Sequence, residues 1–110
     1  MASEREGDID SRDWVGPVLQ KGSVSEAVVG AIRELNLGTR VVDRGAYVRV
    51  LSYRRCRVTR EAIERRTGEP FRLPSDLELI MSSFKGNFDV SDDEAVWDLA
   101  TTLRSPRRGT

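Results

Sequence analysis

Two hydrophobic rhythms divide the chain. Between Val24 and Leu35 apolar residues recur at spacings of three and four, at Val24, Ala27, Val28, Ala31, Ile32 and Leu35. That is the stripe of a helix resting one face on a core. Ser23 or Ser25 is placed to cap it, because a hydroxyl oxygen accepts an orphan amide hydrogen of the first turn. Glu26 suits the positive end of the helix dipole, and Asn36 and Gly38 are suitable stop residues. From residue 40 to 53 the period changes to two: Ala46, Val48 and Val50 alternate with Tyr47, Arg49 and Leu51, after Val41 and Val42. Alternation of this kind is a pleated strand. Asp43-Arg44-Gly45 interrupts it with residues that favour tight reversal. The reading is a hairpin, with Val48 and Val50 facing a core and Tyr47 and Arg49 on the opposite face.

The remaining segments are shorter. Residues 13–20 read as a strand whose Pro17 confines it to an edge or to a strand carrying a bulge. Residues 54–58 give a third strand or a continuation. Thr59 caps a helix over 60–67 that ends at Gly68, and with only Ala62 and Ile63 clearly apolar it should lie on the surface. A short helix is expected over 76–81 after Ser75, with Leu77, Ile80 and Met81 inward. Phe84, Phe88 and Val90 around Gly86 suggest a kinked strand. Ser91-Asp92-Asp93-Glu94 has capping-box spacing, which favours a helix over 95–99, although the same five residues alternate as a strand would. Residues 1–12 and 104–110 show no periodicity and read as flexible tails around one domain at 13–103.

Length and chemistry narrow the function. A chain of 110 residues suits one domain. No apolar run approaches the ~20 residues of a membrane span, and the polar, acidic start is unlike a signal peptide. A cytoplasmic address is expected. The single cysteine, Cys56, forms no internal disulfide, and the chain has no histidine. Ser-His-Asp and Cys-His catalysis are therefore excluded, with most transition-metal sites. The glycines are scattered, without the spacing of a phosphate-cradling loop. Asp92, Asp93 and Glu94 are adjacent acids without the pocket that acid-base work needs.

The charges sum to zero but are segregated. Residues 40–72 carry ten arginines against four acids, and residues 76–98 carry seven acids against one lysine. Such segregation serves either docking on a charged partner or internal pairing of the basic middle with the acidic end. Arginines 54, 55, 57, 60, 65 and 66 also raise nucleic-acid binding as an alternative. Against it stand the interleaved Glu61, Glu64 and Glu69 and the scarcity of stacking aromatics. The residues alone describe a small α/β domain without catalytic equipment, hence a binding or regulatory protein.

The order of segments resembles a known family. It is carried by Val15-Gly16-Pro17-Val18, by residues 43–50 from Asp43 to Val50, and by Thr59-Arg60. Gly68-Glu69-Pro70-Phe71, Leu77-Glu78 and Ser83-Phe84-Lys85-Gly86 continue it. Together they are similar to the effector (coupling or regulatory) proteins of bacterial soluble di-iron monooxygenases, most of all the toluene and alkene monooxygenase branch. The resemblance implies an α+β fold of two small antiparallel sheets with about three helices in a βαββ-like arrangement, and a strand, not a helix, over 95–99. It implies a non-catalytic monomer without metal or organic cofactor. Its partner would be the hydroxylase component, bound near the di-iron site, where it tunes oxygen activation, substrate access and regiospecificity in hydrocarbon oxidation. Neither nucleic acid nor membrane is then a partner. Candidate hydroxylase-binding residues are Trp14, Gly16, Pro17, Arg44, Tyr47, Arg49, Ser83, Phe84, Lys85 and Gly86.

Overall fold

The computed structural model describes residues 13–99. The expected tails at 1–12 and 104–110 lie outside the described residues. Within them the order is β1 (Trp14–Gln20), α1 (Ser23–Leu35), β2 (Arg40–Asp43), β3 (Tyr47–Tyr53) and β4 (Arg55–Thr59). Then follow α2 (Arg60–Thr67), α3 (Ser75–Ile80), β5 (Met81–Lys85), β6 (Asn87–Val90) and β7 (Glu94–Asp98). The strands form two antiparallel sheets, one ordered β2-β3-β1-β5 and the other β4-β7-β6. This is the expected α+β architecture of two small sheets and three helices.

The chain changes sheet twice, and each crossing has a local cause. Between β3 and β4 it turns at Arg54, held at φ 66°. The Arg54 amide donates to the Asp13 carbonyl at 2.6 Å, and its guanidinium to Asp13 Oδ1 at 3.0 Å. Between β5 and β6 it turns at Gly86, at φ 103°. A Cβ there would lie 2.5 Å from the Asp98 carbonyl oxygen and 2.8 Å from Val15 Cγ1, so only glycine lets the sheets meet.

The core lies between the sheets and the helices. Trp97, Leu19, Ile32, Ile63, Leu77, Val28, Val50 and Val58 are fully buried in it. In α1 the buried face runs through Ser25, Val28, Ala31 and Ile32. The stripe is thus rotated from the expected one, which leaves Val24 42% and Leu35 37% exposed at its margins. The expected serine cap is not made: Ser23 is the first helical residue, Gly22 is the N-cap, and no side chain caps the helix. Burial explains this, because Ser25 is turned into the core, where its Oγ has no hydrogen-bond partner. Helix α2 follows expectation more closely. Thr59 Oγ1 accepts from the Ala62 amide at 3.1 Å, and Gly68 closes the helix in the left-handed conformation. Its Ala62 and Ile63 are buried while its charged residues face outward.

Two strands needed tertiary context. Pro17 does not lie on an edge strand: β1 is central, between β3 and β5. The proline is accommodated by irregular pairing. The register with β5 slips between Val18 and Leu19, so that Ser82 bulges, and the pairing with β3 skips Gly16 and Pro17. Residues Glu94–Asp98 form a strand, as the family resemblance implies and against the capping-box signal. Ser91 Oγ does accept from the amides of Asp93 and Glu94, at 3.2 and 3.3 Å. The chain nevertheless continues as the middle strand of the second sheet, because Ala95 and Trp97 are fully buried there and both neighbouring strands supply ladder bonds.

Candidate docking face

The four-stranded sheet has one face on the core and one turned outward. Directly opposite residues of antiparallel strands share a face, so the register fixes what the outer face presents. One row runs Val42, Arg49, Val18, Ser83 across β2, β3, β1 and β5. Arg40 lies opposite Leu51, Gly16 opposite Lys85, and Trp14 opposite Tyr53.

An open cleft of about 520 Å³ occupies the middle of this face. Strand β1 contributes Gly16, Pro17 and Val18 to its lining, the hairpin and β3 contribute Arg44, Tyr47, Arg49 and Leu51, and β5 contributes Ser82, Ser83, Phe84 and Lys85. Eight of the ten residues singled out from sequence are therefore brought together: Gly16, Pro17, Arg44, Tyr47, Arg49, Ser83, Phe84 and Lys85. The other two are set apart. Trp14 is on the same face but beyond the cleft, edge-on to Tyr53 at 5.6 Å with Arg40 over its ring at 5.2 Å. Gly86 sits at the crossing between sheets, where its role is close packing. Sequence reasoning missed Val18, Leu51 and Ser82. Leu51 was legible, since it shares the alternation of Tyr47 and Arg49; Val18 and Ser82 depend on the β1–β5 register.

Glycine 16 makes the cleft possible. Its φ is 148°, and a Cβ there would run into the Val50 carbonyl oxygen, so β1 lies flush against β3 with no side chain filling the floor. Leu51 covers the remainder and is only 6% exposed. At one edge Phe84, 45% exposed, lies 5.2 Å from Phe88, which stacks at 5.2 Å on the fully buried Trp97. An aromatic column thus leads from the cleft into the core.

The hairpin beside the cleft is built as the sequence suggested. Gly45 is at φ 89°, its amide donates to Asp43 Oδ1 at 2.8 Å, and the Arg44 amide donates to the Tyr47 carbonyl at 2.8 Å. Lys21 Nζ lies 2.8 Å from Asp43 Oδ2. That lysine, and then the Gly45 amide, hold the Asp43 carboxyl below its ordinary pKa. The aspartate is a charged turn residue tied on both sides, with no means of proton transfer in it.

The other candidate chemistry is absorbed by structure. Cys56 is fully buried, and burial pushes its thiol up to about 11, partly offset by a hydrogen bond with Ser52. A thiol so placed is inert at neutral pH. Five of the six arginines of the basic block are in ion pairs: Arg54 with Asp13, Arg57 with Glu94, Arg60 with Asp93 and Glu64, Arg65 with Glu34 and Glu61, and Arg66 with Glu34. The basic middle and acidic end lie side by side across β4 and β7, which removes the ground for a phosphate-binding surface. No helix of the described residues is long and apolar enough to cross a membrane.

Relatives agree with this architecture. The chain is 40% identical over 99 residues to the effector subunit of the alkene monooxygenase system of Xanthobacter autotrophicus, covering 88% of this chain and 96% of that one. The fold matches a chain from a phenol hydroxylase–regulatory protein complex with a TM-score of 0.72 at 23% identity, covering 79% of this chain and 99% of that chain. A second such structure gives a TM-score of 0.67 at 24% identity, covering 77% and 98%. A family model spans residues 13–98, nearly all of the folded region just described. On the strength of that span and the 40% identity, this chain belongs to the MmoB/DmpM family.

Proposed function

We propose that this chain is the effector component of a multicomponent di-iron monooxygenase that oxidises hydrocarbons, acting in the cytoplasm as a cofactor-free monomer. It docks on the hydroxylase through the outer face of the four-stranded sheet. The observation that carries the assignment is the 40% identity, over 88% of the chain, to an alkene monooxygenase effector subunit. The docking face rests on a separate observation: one open cleft gathers Tyr47, Phe84, Arg44 and Arg49, types enriched where binding energy concentrates.

The mechanism requires no reactive group of its own. An effector shifts its partner only by the difference in its affinity for two partner conformations. A difference of ~1–3 kcal/mol changes their populations by roughly five- to 150-fold. A rigid sheet with a glycine-floored cleft suits that task, because it offers a fixed shape that one conformation fits better than another. Oxygen chemistry stays with the hydroxylase iron.

The test is titration of the purified protein into hydroxylase, reductase and ferredoxin while product and oxygen consumption are followed. Product formation and coupling should both rise to a plateau. Unchanged turnover and coupling at every ratio would overturn the assignment. Substituting Phe84→Ala should shift the titration to higher protein concentration without abolishing the plateau.

A further inference from the structure

The cleft carries positive charge, and the chain supplies its own matching anion. Arg44, Arg49 and Lys85 line it and no carboxylate does. Asp43, beside it, is committed to Lys21. Arg40, on the same face, stacks on Trp14, and neither Arg40 nor Arg49 is in an ion pair among the described residues. The segment preceding β1 has carboxylates at Glu4, Glu6, Asp8 and Asp10. These are alternate positions, which in an extended chain fall on one side, ~6.6 Å apart, the repeat of residues along one face of a strand. Arg5 falls on the other side, and Arg12 lies at the point where the chain would reverse.

We propose that in the free protein residues 1–12 fold back over the outer face. There Glu4, Glu6, Asp8 and Asp10 lie against Arg40, Arg49 and the cleft rim, so that the segment competes with the hydroxylase for this face. The reach is sufficient. Strand β1 enters at Trp14 on the outer face itself, and its length to Gln20 is ~23 Å, whereas twelve extended residues span ~40 Å. A tethered ligand needs little intrinsic affinity, because its effective concentration lies in the millimolar range. The consequence for docking rests on the effector reading; the contact itself does not.

The experiment uses the full chain and a variant with Glu4→Gln, Glu6→Gln, Asp8→Asn and Asp10→Asn, whose changes all lie outside the described fold. Amide resonances of Arg40, Tyr47, Arg49 and Leu51 should differ between the two proteins at low salt. Those differences should vanish at ~0.5 M salt, where the Debye length falls to a few ångströms. Superimposable cleft resonances at low salt would overturn the contact, whatever the protein's function. The variant should also bind the hydroxylase ~3- to 10-fold more tightly, the factor set by the fraction of molecules whose face is open. Unchanged or weaker binding would overturn the competition, and weaker binding would show that the segment contacts the hydroxylase instead.

Discussion

Gly16 and Gly45 both have positive φ, yet they answer to different constraints. At Gly45 nothing lies within 4 Å of the position a Cβ would take, so a side chain there meets only backbone preference. Gly45→Ala should cost about 1–2 kcal/mol, the penalty of the left-handed region. At Gly16 the added Cβ meets the Val50 carbonyl, and relief requires parting two central strands. Gly16→Ala should therefore cost about 3 kcal/mol or more, combining strain with overpacking. Urea unfolding of the two variants will show the ranking, and equal losses would contradict it. Cys56 gives a second prediction at this scale. Its thiol titrates at about 11 in the fold, above the ordinary value of 9.0. Below pH ~9 both folded and unfolded thiols are protonated and the contribution is fully present. As pH rises from 9 toward 11 the unfolded state releases its proton first, so stability falls by on the order of 2 kcal/mol. Cys56→Ala should lack that alkaline component, and a parallel pH profile for both proteins would contradict it.

At the scale of elements, what was legible followed from local causes. The Asp43–Gly45 turn, the Thr59 cap and the Gly68 stop each rest on hydrogen bonds within a few residues, and each is found. What was not legible depends on distant partners. Ser91 to Glu94 form their local hydrogen bonds as a helix start would, but β4 and β6 draw Glu94–Asp98 into a sheet. Pro17 is central because a bulge in β5 and skipped pairs with β3 relieve its missing donor, and none of that is written near Pro17. Asn36 shows the same asymmetry. Sequence marks it as a helix stop; the fold gives it a second task. Its Nδ2 donates to the carbonyls of Ile32 and Arg57, both at 2.7 Å, and its Oδ1 accepts from the Arg57 amide at 3.0 Å. The side chain thereby closes the open edge of β4, where an exposed ladder would invite pairing with other chains. Asn36→Ala should cost about 2 kcal/mol in denaturant unfolding, since it strands the amide and carbonyl of Arg57. Asn36→Asp, which keeps the acceptor, should lose less.

For the molecule as a whole, a net charge of zero conceals a directional field. Ion pairs of Arg57 and Arg60 with Glu94 and Asp93, and of Arg65 and Arg66 with Glu34, occupy the basic middle where it faces the helices and β7. Exposed pairs of this kind add little stability, about 0–1 kcal/mol each. Their larger effect is on the potential, because they cancel charge on that side and leave Arg40 and Arg49 uncancelled on the outer face. The docking candidates were legible one by one from sequence, but this bias was not, since it depends on which arginines find partners in space. Charge reversal separates the face from the net charge. Arg49→Glu and Arg33→Glu change the total equally, but Arg33 is an exposed residue of α1, away from the cleft. Electrostatic steering acts through the local field and weakens with salt. Association with the hydroxylase should thus slow roughly tenfold for Arg49→Glu at low ionic strength, corresponding to about 1.4 kcal/mol. The deficit should shrink as salt rises, while Arg33→Glu stays near the wild-type rate throughout. Stopped-flow measurement across a salt series distinguishes the cases: equal slowing by both variants would mean that net charge governs encounter and that the outer sheet face has no special part in docking.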